Sequence, residues 1–410
     1  MRIVHAIPYF PPANCFGGVP EAVYSLVQAQ ARLGHEIIVL TTDAGLHPDS
    51  VREGLTVRWV VQKAVRAVGE AGGIRIFYMT NRNPLLARKY KIFTASFWNP
   101  SIEEQLPASI DILHLHDVHI PGYRRLCVKM MERGAGLCLS SHGSFAPPVH
   151  RGLKRAAHKW MDPLLRRRWI LHVSAFFALC REEKKQLERA GTPGGRIHVL
   201  PHGRPRFESP ASPLPFPAAE SSSLCTFLYA GRLHRAKGVM ILMEAFVRLI
   251  EEGAEARLIF CGPDEGCAAK IQSICSANHI TLTRGAAPAC AGVALLPKIP
   301  RSAMPALFSL ADFTVCPSPY EIFGLTPVES LICGTPVIAA SSYGCLEHLP
   351  DSCDAIRIVT PGSAHSLQAA MSQCLLPDQA PPRFHPESIL PPWDEIARRT
   401  CDIYDRIIRR

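Results

Sequence analysis

A chain of 410 residues is longer than one hydrophobic core usually serves, so its length favours two domains of roughly 200 residues each. Hydrophobic residues make up 47% and charged residues 20% of the chain, which excludes an intrinsically disordered protein. The formal net charge of +10 at pH 7 indicates an anionic partner, which the charge alone does not identify.

The N-terminal segment MRIVHAIPYF has neither the long apolar stretch nor the small-residue cleavage site of a signal peptide. The longest apolar run, residues 169–180, is too short to cross a bilayer. Fifteen cysteines are scattered without a C-x-x-C pair, which favours reduced, buried thiols over disulfides or a metal site. We therefore expect a cytoplasmic protein that is soluble or peripheral to a membrane.

The first elements in the chain predict a βαβ unit. Residues 2–7 are typical of a strand, and a loop with Gly17 and Gly18 follows before a helix with apolar residues at three- and four-residue spacing. Gly34 then ends the helix, and residues 36–41 resume a strand, so a parallel sheet is expected. The glycine pair serves either turn geometry alone or the approach of an anion to the helix N-terminus.

A second α/β half follows a stretch rich in proline and serine at residues 204–223, which predicts a linker. Residues 225–231 and 256–262 are typical of strands, with a helical pattern between them. We therefore predict two doubly wound α/β domains, residues 1–203 and 224–392, and a final amphipathic helix at 393–410. Ligands of such sheets bind at the C-terminal ends of the strands.

The loop AGRLHRAKGV leaves a strand of the second half and contains the basic residues Arg232 and Lys237. An Arg fork and a Lys point charge together suit a diphosphate, although basic loops are also common as solvated surface. The chain has no G-x-x-x-x-G-K-[ST] sequence, and no G-x-G-x-x-G follows the first strand. A phosphate-bearing ligand without these signatures suggests a nucleotide sugar.

The segment PSPYEIFGLTPVES, residues 317–330, places Glu321 and Glu329 on either side of a glycine turn. Glu329 fits a capping box in which Thr326 is the N-cap and Pro327 the first helical residue. The pair can also act as the two carboxylates of a glycosidase, or each acid can accept hydrogen bonds from a separate diol. In the last case one acid holds a sugar ring and the other a ribose.

This segment, the basic loop and the first glycine loop together resemble the retaining glycosyltransferases of family 4, which have the GT-B fold. The resemblance extends over almost the whole chain, including DILHLHD at 111–117 and IHVLPHG at 197–203. It implies two Rossmann-like domains that face a cleft, with residues 1–203 forming the acceptor domain and 224–392 the nucleotide-sugar domain. The helix at 393–410 is expected to cross back to the first domain.

The resemblance also implies roles for individual residues. The residues expected to take part in catalysis are Glu321, His142, Arg232 and Lys237. The residues expected to bind the donor are Gly17, Gly18, Arg232, Lys237, Glu321, Phe323, Gly324, Leu325, Thr326 and Glu329. Neither a metal ion nor a cofactor is expected, because basic side chains and backbone N–H groups stabilise the departing nucleoside diphosphate, which is expected to be UDP or GDP.

These implications predict transfer of a hexose from a nucleotide sugar to a glycan or lipid-linked acceptor in polysaccharide, lipopolysaccharide or glycolipid synthesis. The alternatives are an epimerase, a phosphorylase or a non-catalytic protein of the same fold that binds a sugar nucleotide. Residues 151–169 mix seven Arg and Lys with Trp and Leu, which suits either an anionic membrane surface or a solvated helix face. Nucleic-acid binding is disfavoured because no recognised module accompanies the charge.

Overall fold

A computed structural model of the chain describes residues 1–13, 18–46, 55–59, 65–83, 86–87, 93–145, 169–207, 212–216, 224–350, 353–376, 378, 381–382 and 389–409. The chain divides into two compact units. Unit 1 is Met1–Gly203 with Pro391–Arg410, and unit 2 is Arg204–Leu390. Gly17 and the basic stretch 151–168 lie outside the described residues, and so do residues 208–211 and 217–223 of the expected linker.

Unit 1 is built on a nine-stranded sheet in the order β3-β4-β5-β2-β1-β6-β7-β8-β9. Its strands are β1 (Arg2–Ala6), β2 (Glu36–Thr42), β3 (Thr56–Trp59), β4 (Val65–Ala71), β5 (Ile74–Met79), β6 (Ile112–His116), β7 (Gly136–Ser140), β8 (Ala175–Ala178) and β9 (Ile197–Val199). The strands from β5 to β9 in this order pair in parallel, whereas β3 and β4 form an antiparallel edge. The predicted βαβ unit at the N-terminus is present.

The helices of unit 1 cover the sheet. They are α1 (Val19–Arg32), α2 (Pro100–Glu103), α3 (Tyr123–Glu132), α4 (Arg181–Arg189) and α10 (Trp393–Ile408), the last of which comes from the C-terminal segment. Helix α10 packs on α1 through a small apolar cluster that includes Leu26, Trp393 and Ile396. Arg32 also forms an ion pair with Asp394, at 2.6 Å between Nη2 and Oδ1. The final helix therefore belongs to the first unit, as the resemblance implied.

Unit 2 has a seven-stranded sheet in the order β12-β13-β11-β10-β14-β15-β16, with every pair parallel. Its strands are β10 (Cys225–Ala230), β11 (Ala256–Cys261), β12 (Thr281–Arg284), β13 (Gly292–Leu296), β14 (Phe313–Cys316), β15 (Val337–Ala340) and β16 (Ile356–Val359). Its helices are α5 (Val239–Glu251), α6 (Ala268–Ala277), α7 (Met304–Ser309), α8 (Leu325–Ile332) and α9 (Ala364–Cys374). Parallel pairing requires crossover connections, and the helices between the strands provide them.

The described part of the expected linker is not a free connection. Phe207, Leu214 and Phe216 pack against the apolar core of unit 2 that includes Leu228 and Phe308. The proline and serine content of 204–223 predicted a linker, but the aromatic and leucine side chains within it bury apolar area on unit 2. These residues accordingly belong to unit 2.

The cysteines of the described segments are free thiols, most of them buried. Burial raises the pKa of several of these thiols, for example that of Cys127 to about 12, so they remain protonated at neutral pH. Within the described residues, no helix combines the length and the apolar character that crossing a bilayer requires.

Candidate active site

The most specific contact among the predicted site residues joins Lys237 to Glu321. The Lys237 Nζ lies 2.7 Å from Oε1 and 2.6 Å from Oε2 of Glu321, with both side chains about one-quarter exposed. Lys237 follows β10 and Glu321 follows β14, and these two strands are neighbours in the parallel sheet. The carboxyl ends of neighbouring parallel strands lie at one edge, so residues 84 positions apart meet there.

Gly238 makes the approach of the basic loop to this edge possible. It has φ of +75°, and a Cβ atom at this position would lie 2.2 Å from the carbonyl oxygen of Pro317. Such a distance is far inside van der Waals contact, so a side chain would push the start of α5 away from the loop that carries Glu321. Gly238 thereby keeps Lys237 within reach of that carboxylate.

Arg232 does not share the Glu321 contact. Its Nη1 lies 3.1 Å and 2.8 Å from the two carboxylate oxygens of Glu265, a residue that the sequence analysis did not single out. Arg232 and Lys237 of the basic loop are therefore each held by a separate carboxylate. Because both ion pairs are partly solvent-exposed, their net contribution to stability is small, and an anionic ligand can compete for the two cations.

The loop between Glu321 and α8 is fixed by Gly324 and by backbone pairing. Gly324 has φ of +79°, and a Cβ there would lie 2.2 Å from the ring of Tyr343 and 3.0 Å from Cγ of Glu321. The Cys345 N–H donates to the carbonyl oxygen of Phe323 at 2.9 Å, and Glu321 pairs with Tyr343 in an isolated bridge. Phe323 is itself buried, so its side chain anchors the loop while its backbone is part of the turn.

The capping box predicted for this helix is wrong. Helix α8 begins at Leu325 with Gly324 as its N-cap, and no side chain caps it. Thr326 is the second helical residue, and its Oγ1 lies at 3.5 Å from the carbonyl oxygen of Ala230. The positive φ of Gly324 starts the helix earlier than the TPVE pattern predicts. Within the described part of the chain, no side chain caps the N–H groups of the first turn, which suits an anion.

Glu329 has a different partner from the one predicted. Its Oε1 accepts a hydrogen bond from Nη1 of Arg301 at 2.8 Å, and its side chain is 10% exposed. The Arg301 guanidinium also lies over the ring of Phe207, 5.3 Å from its centroid. Arg301 was missed because it follows a proline-rich segment, 297–300, that carries no recognisable motif. A hydrogen bond to a ribose would require the remaining acceptor sites of this carboxylate.

In unit 1, Gly18 is the N-cap of α1 and is exposed. Its φ of −81° is one that any residue adopts, and no side chain caps the helix. Among the described residues, which exclude 14–17 directly before the helix, no side chain caps the N–H groups of α1 that the anion hypothesis requires. The backbone conformation at position 18 therefore does not itself require glycine.

His142 follows β7 and has φ of +47°, a left-handed conformation that is uncommon for a residue other than glycine. Such strained positions persist where surrounding contacts fix them, and here the contacts come from Glu183 on α4. This buried carboxylate accepts from Ser141 Oγ and the Gly143 N–H at 2.6 Å each, and from the Leu179 N–H at 2.7 Å. Glu183 therefore holds the turn on both sides of His142.

A cluster of histidines lies behind His142. His116 is hydrogen-bonded to His142 on one side and to His5 on the other, and both His116 and His5 are buried. The ring of His114 stacks on that of His116, with the ring centroids 4.4 Å apart. Burial lowers the pKa of His5 to about 4 and holds those of His114 and His116 well below the usual value, so these rings are neutral at pH 7. The sequence signal for this cluster is the alternation of histidines in HLHD, residues 114–117, to which the sequence analysis assigned no function.

His5, His114 and His116 lie close enough together to hold a metal ion, with ligand nitrogens within 4.8 Å of one another. The rings of His114 and His116 are nevertheless stacked face to face, with 28° between their planes. Ring nitrogens that bind one ion converge on it from different directions, and stacked rings present their lone pairs side by side. The arrangement suits a hydrogen-bonded cluster better than a metal centre.

Two family models match the chain. The model for "Glycosyltransferase Family 4" matches residues 16–205, and the model for "Glycosyl transferases group 1" matches residues 218–386. The chain belongs to glycosyltransferase family 4. The two matches fall on unit 1 and unit 2 in turn.

Individual glycosyltransferases are similar to this chain at low sequence identity. The D-inositol 3-phosphate glycosyltransferase of Xylanimonas cellulosilytica is 28% identical over 259 residues, which is 58% of this chain and 58% of that protein. The match thus spans a little over half the length of that relative. The glycogen synthase of Mycobacterium tuberculosis is 24% identical over 359 residues, covering 84% of this chain and 79% of the enzyme.

Solved structures of similar architecture cover the whole chain. The sucrose-phosphate synthase of Thermosynechococcus elongatus has a TM-score of 0.69 at 17% identity, with both chains fully covered. Anabaena HepE in complex with UDP-glucose has a TM-score of 0.63 at 16% identity, covering 100% of this chain and 98% of HepE. At these identities the likeness establishes the fold, and this family 4 chain has the GT-B fold of two Rossmann-like units.

Proposed function

We propose that the chain is a retaining glycosyltransferase that moves a hexose from a nucleoside-diphosphate sugar to a glycan or lipid-linked acceptor, in polysaccharide, lipopolysaccharide or glycolipid synthesis. The observation that carries this proposal is the Lys237–Glu321 pair beside the uncapped start of α8. A cation and free N–H groups suit a diphosphate, and a neighbouring carboxylate suits the hydroxyl groups of a sugar.

Each side chain has a role in this proposal. Lys237 and Arg232 exchange their carboxylate partners for the diphosphate, whose negative charge grows as the sugar departs. Glu321 accepts hydrogen bonds from sugar hydroxyls, and Glu329 accepts from the ribose. The N–H groups at the start of α8 add a positive dipole end for this anion. Gly18, at the start of α1 in unit 1, remains a donor-binding residue in the proposal on the strength of the family resemblance.

Retention of configuration follows if the acceptor attacks from the face that the diphosphate leaves. A C–O bond to the acceptor forms, the bond between the sugar and the diphosphate breaks, and a diphosphate oxygen takes the acceptor proton. In this scheme Glu321 accepts hydrogen bonds from the sugar hydroxyls and does not act as a nucleophile. Since basic side chains carry the charge of the leaving group, the step requires no metal ion, and we expect a chelator to leave the rate unchanged.

The relatives support a hexose donor. Their names include a glycogen synthase and a sucrose-phosphate synthase, and the HepE structure contains UDP-glucose. UDP-hexoses are therefore the first donors to test, and GDP-hexoses follow because the sequence analysis expects UDP or GDP.

A donor panel tests the proposal. Purified protein is incubated with UDP-, GDP-, ADP- and dTDP-hexoses, and release of the nucleoside diphosphate is followed with the Glu321→Gln variant alongside. The matched control is Glu244→Gln, since Glu244 also forms an ion pair in unit 2 but lies on the exposed face of α5. We expect one donor to be turned over by the wild type and the control, and at least about a hundredfold more slowly by Glu321→Gln.

Two results would contradict the proposal. Turnover that survives unchanged in Glu321→Gln would place the reaction elsewhere. Binding without release, in the presence of a panel of glycan and lipid-linked acceptors, would favour a non-catalytic sugar-nucleotide protein. The anomeric configuration of the product, measured by NMR, tests retention separately.

Association with a membrane is a separate part of the proposal. It rests on the charge and the Trp and Leu content of residues 151–169, of which only Trp169 is among the described residues. We expect the protein to co-sediment with vesicles that contain acidic lipid and not with neutral vesicles. Equal recovery with both would contradict this part alone.

A further inference from the structure

A line of hydrogen bonds runs from His142 into the interior of unit 1. The Nε2 of His142 lies 3.0 Å from Nδ1 of His116, and Nε2 of His116 lies 3.0 Å from Nδ1 of His5. The Nε2 of His5 then lies 2.8 Å from Oε1 of Gln30 on α1. Gln30 and both inner histidines are at most 1% exposed, so water does not compete for these contacts.

The last acceptor decides where every proton in this line lies. A carbonyl oxygen only accepts, so His5 carries its proton on Nε2 and presents a bare Nδ1. The bare nitrogen requires a donor, so His116 also carries its proton on Nε2, and the same argument applies to His142. His142 is then left with a bare Nδ1, which has no hydrogen-bond partner among the described residues although the atom is buried.

We propose that Gln30 fixes the tautomer of His142 through His5 and His116, so that Nδ1 of His142 is kept as an acceptor for a hydroxyl group of a bound sugar. This inference rests on the proposed function, because the sugar that His142 contacts is the sugar of the proposed donor. The hydrogen-bonded line Gln30–His5–His116–His142 is called the relay below. Gln30, His5 and His116 are positioning residues in this account, and His142 is the residue that meets the ligand. A histidine held in the wrong tautomer presents an N–H where the hydroxyl requires an acceptor.

The orientation of the Gln30 amide sets the direction of the whole line. Its Oε1 is the amide atom that lies within hydrogen-bond distance of His5, whereas its buried Nε2 has no hydrogen-bond partner among the described residues. Exchanging the amide oxygen and nitrogen would reverse every donor and acceptor in the line, so the tautomer of His142 reports directly on this amide. The Tyr404 hydroxyl contacts Nδ1 of His114, which lies outside the line.

The neutrality of the inner rings is the second requirement. Desolvation lowers the pKa of His5 to about 4 and that of His116 well below the usual value, so neither ring takes up a second proton at pH 7. A protonated ring would donate from both nitrogens and would break the direction of the line. Burial therefore keeps the relay in a state in which Gln30 alone determines its direction.

The test is the tautomer of His142 in the ligand-free protein, observed by NMR with ¹⁵N-labelled histidine and assigned by loss of the signal in His142→Asn. We expect a single Nε2–H tautomer in the wild type. Gln30→Met removes the acceptor and should give a mixture of tautomers, whereas Gln30→Glu retains an acceptor and should restore the single form. Ser140→Ala, which removes a partner of His114 outside the relay, is the matched control and should leave the signal unchanged.

An Nδ1–H tautomer in the wild type would overturn the proposal without recourse to any variant, so a variant that fails to fold does not leave it untested. An unchanged single tautomer in folded Gln30→Met would overturn it as well. Because the measurement uses no donor, its outcome is distinct from that of the donor panel. With an active donor in hand, we expect Gln30→Met to lower kcat roughly tenfold while KM for the donor stays within about twofold, and Gln30→Glu to recover most of kcat.

Discussion

Lowering the pH from 7 to 5 should destabilise unit 1 through its buried histidines. The pKa of His5 falls from 6.5 in the unfolded chain to about 4 in the folded protein because burial disfavours the charged ring. Between these values the unfolded chain binds the proton and the folded protein does not, so stability is retained above pH 6.5 and is lost as the pH falls. The full difference corresponds to about 3 kcal/mol for His5, of which about 2 kcal/mol is lost by pH 5.

The neighbouring rings act in the same direction, since burial also lowers the pKa of His114, His116 and His142. Glu183 acts in the opposite direction, because burial raises the pKa of its carboxyl group in the folded protein. Ionisation of this group at neutral pH therefore lowers the stability of unit 1, and its protonation in acid restores that stability. The histidines outnumber it, and the net effect expected for unit 1 is a loss on acidification.

The assay uses the distribution of tryptophan. All five tryptophans of the chain fall within the sequence ranges of unit 1, and Trp98, Trp169 and Trp393 are buried there, so intrinsic fluorescence during urea unfolding reports on that unit. We expect its midpoint to fall markedly between pH 7 and pH 5, and His5→Gln to reduce the size of this fall. A midpoint that is equal at the two pH values, or a fall that His5→Gln leaves unchanged, would refute the assignment of the acid sensitivity to this cluster.

Three substitutions test other parts of the structure. Gly324→Ala should destabilise unit 2 by about 2 kcal/mol or more, because the new Cβ meets the ring of Tyr343 and the backbone has a positive φ. The control is Gly362→Ala, which has the same φ of +79° but open space around it and should cost only about 1 kcal/mol. Both free energies of unfolding are measured by chemical unfolding followed by circular dichroism. Glu183→Ala should destabilise unit 1 by about 3 kcal/mol or more in urea unfolding followed by fluorescence, since three donors lose their acceptor, and an effect no larger than that of the exposed neighbour in Glu182→Ala would contradict this role. Arg301→Ala should weaken donor binding in calorimetry several-fold, because Glu329 loses the cation that orients it, and unchanged affinity would show that the pair has no part in the site.

The sequence predicted the course of the chain better than it predicted the contacts of the site. Strands β1, β2, β10 and β11 and helices α1, α5 and α10 follow directly from apolar spacing and from the glycines that end them. A spacing rule acts over a few residues, and each of these elements is decided locally. The basic loop and the Glu321 motif could be placed at strand ends for the same reason.

The partners within the site could not be predicted in this way. Lys237 and Glu321 meet only because β10 and β14 are neighbours, and Arg301 reaches Glu329 from a segment without a motif. The capping box at 326–329 failed because a glycine with positive φ began the helix earlier, and local pattern does not reveal backbone conformation. The burial of His5 likewise depends on the whole sheet and on α1.

The measurement that tests the central claim most directly is the affinity of unit 2 for a nucleoside diphosphate in the full chain, determined by calorimetry with UDP and GDP. We expect one of them to bind, and Lys237→Met to weaken it roughly 10- to 100-fold, because a charge-assisted contact worth about 1.5–3 kcal/mol is lost. Lys270→Met, which removes an exposed cation of α6 in the same unit, should leave the affinity unchanged. Equal affinity for the wild type and Lys237→Met, or no binding of either nucleotide, would contradict the assignment of this loop to the donor site.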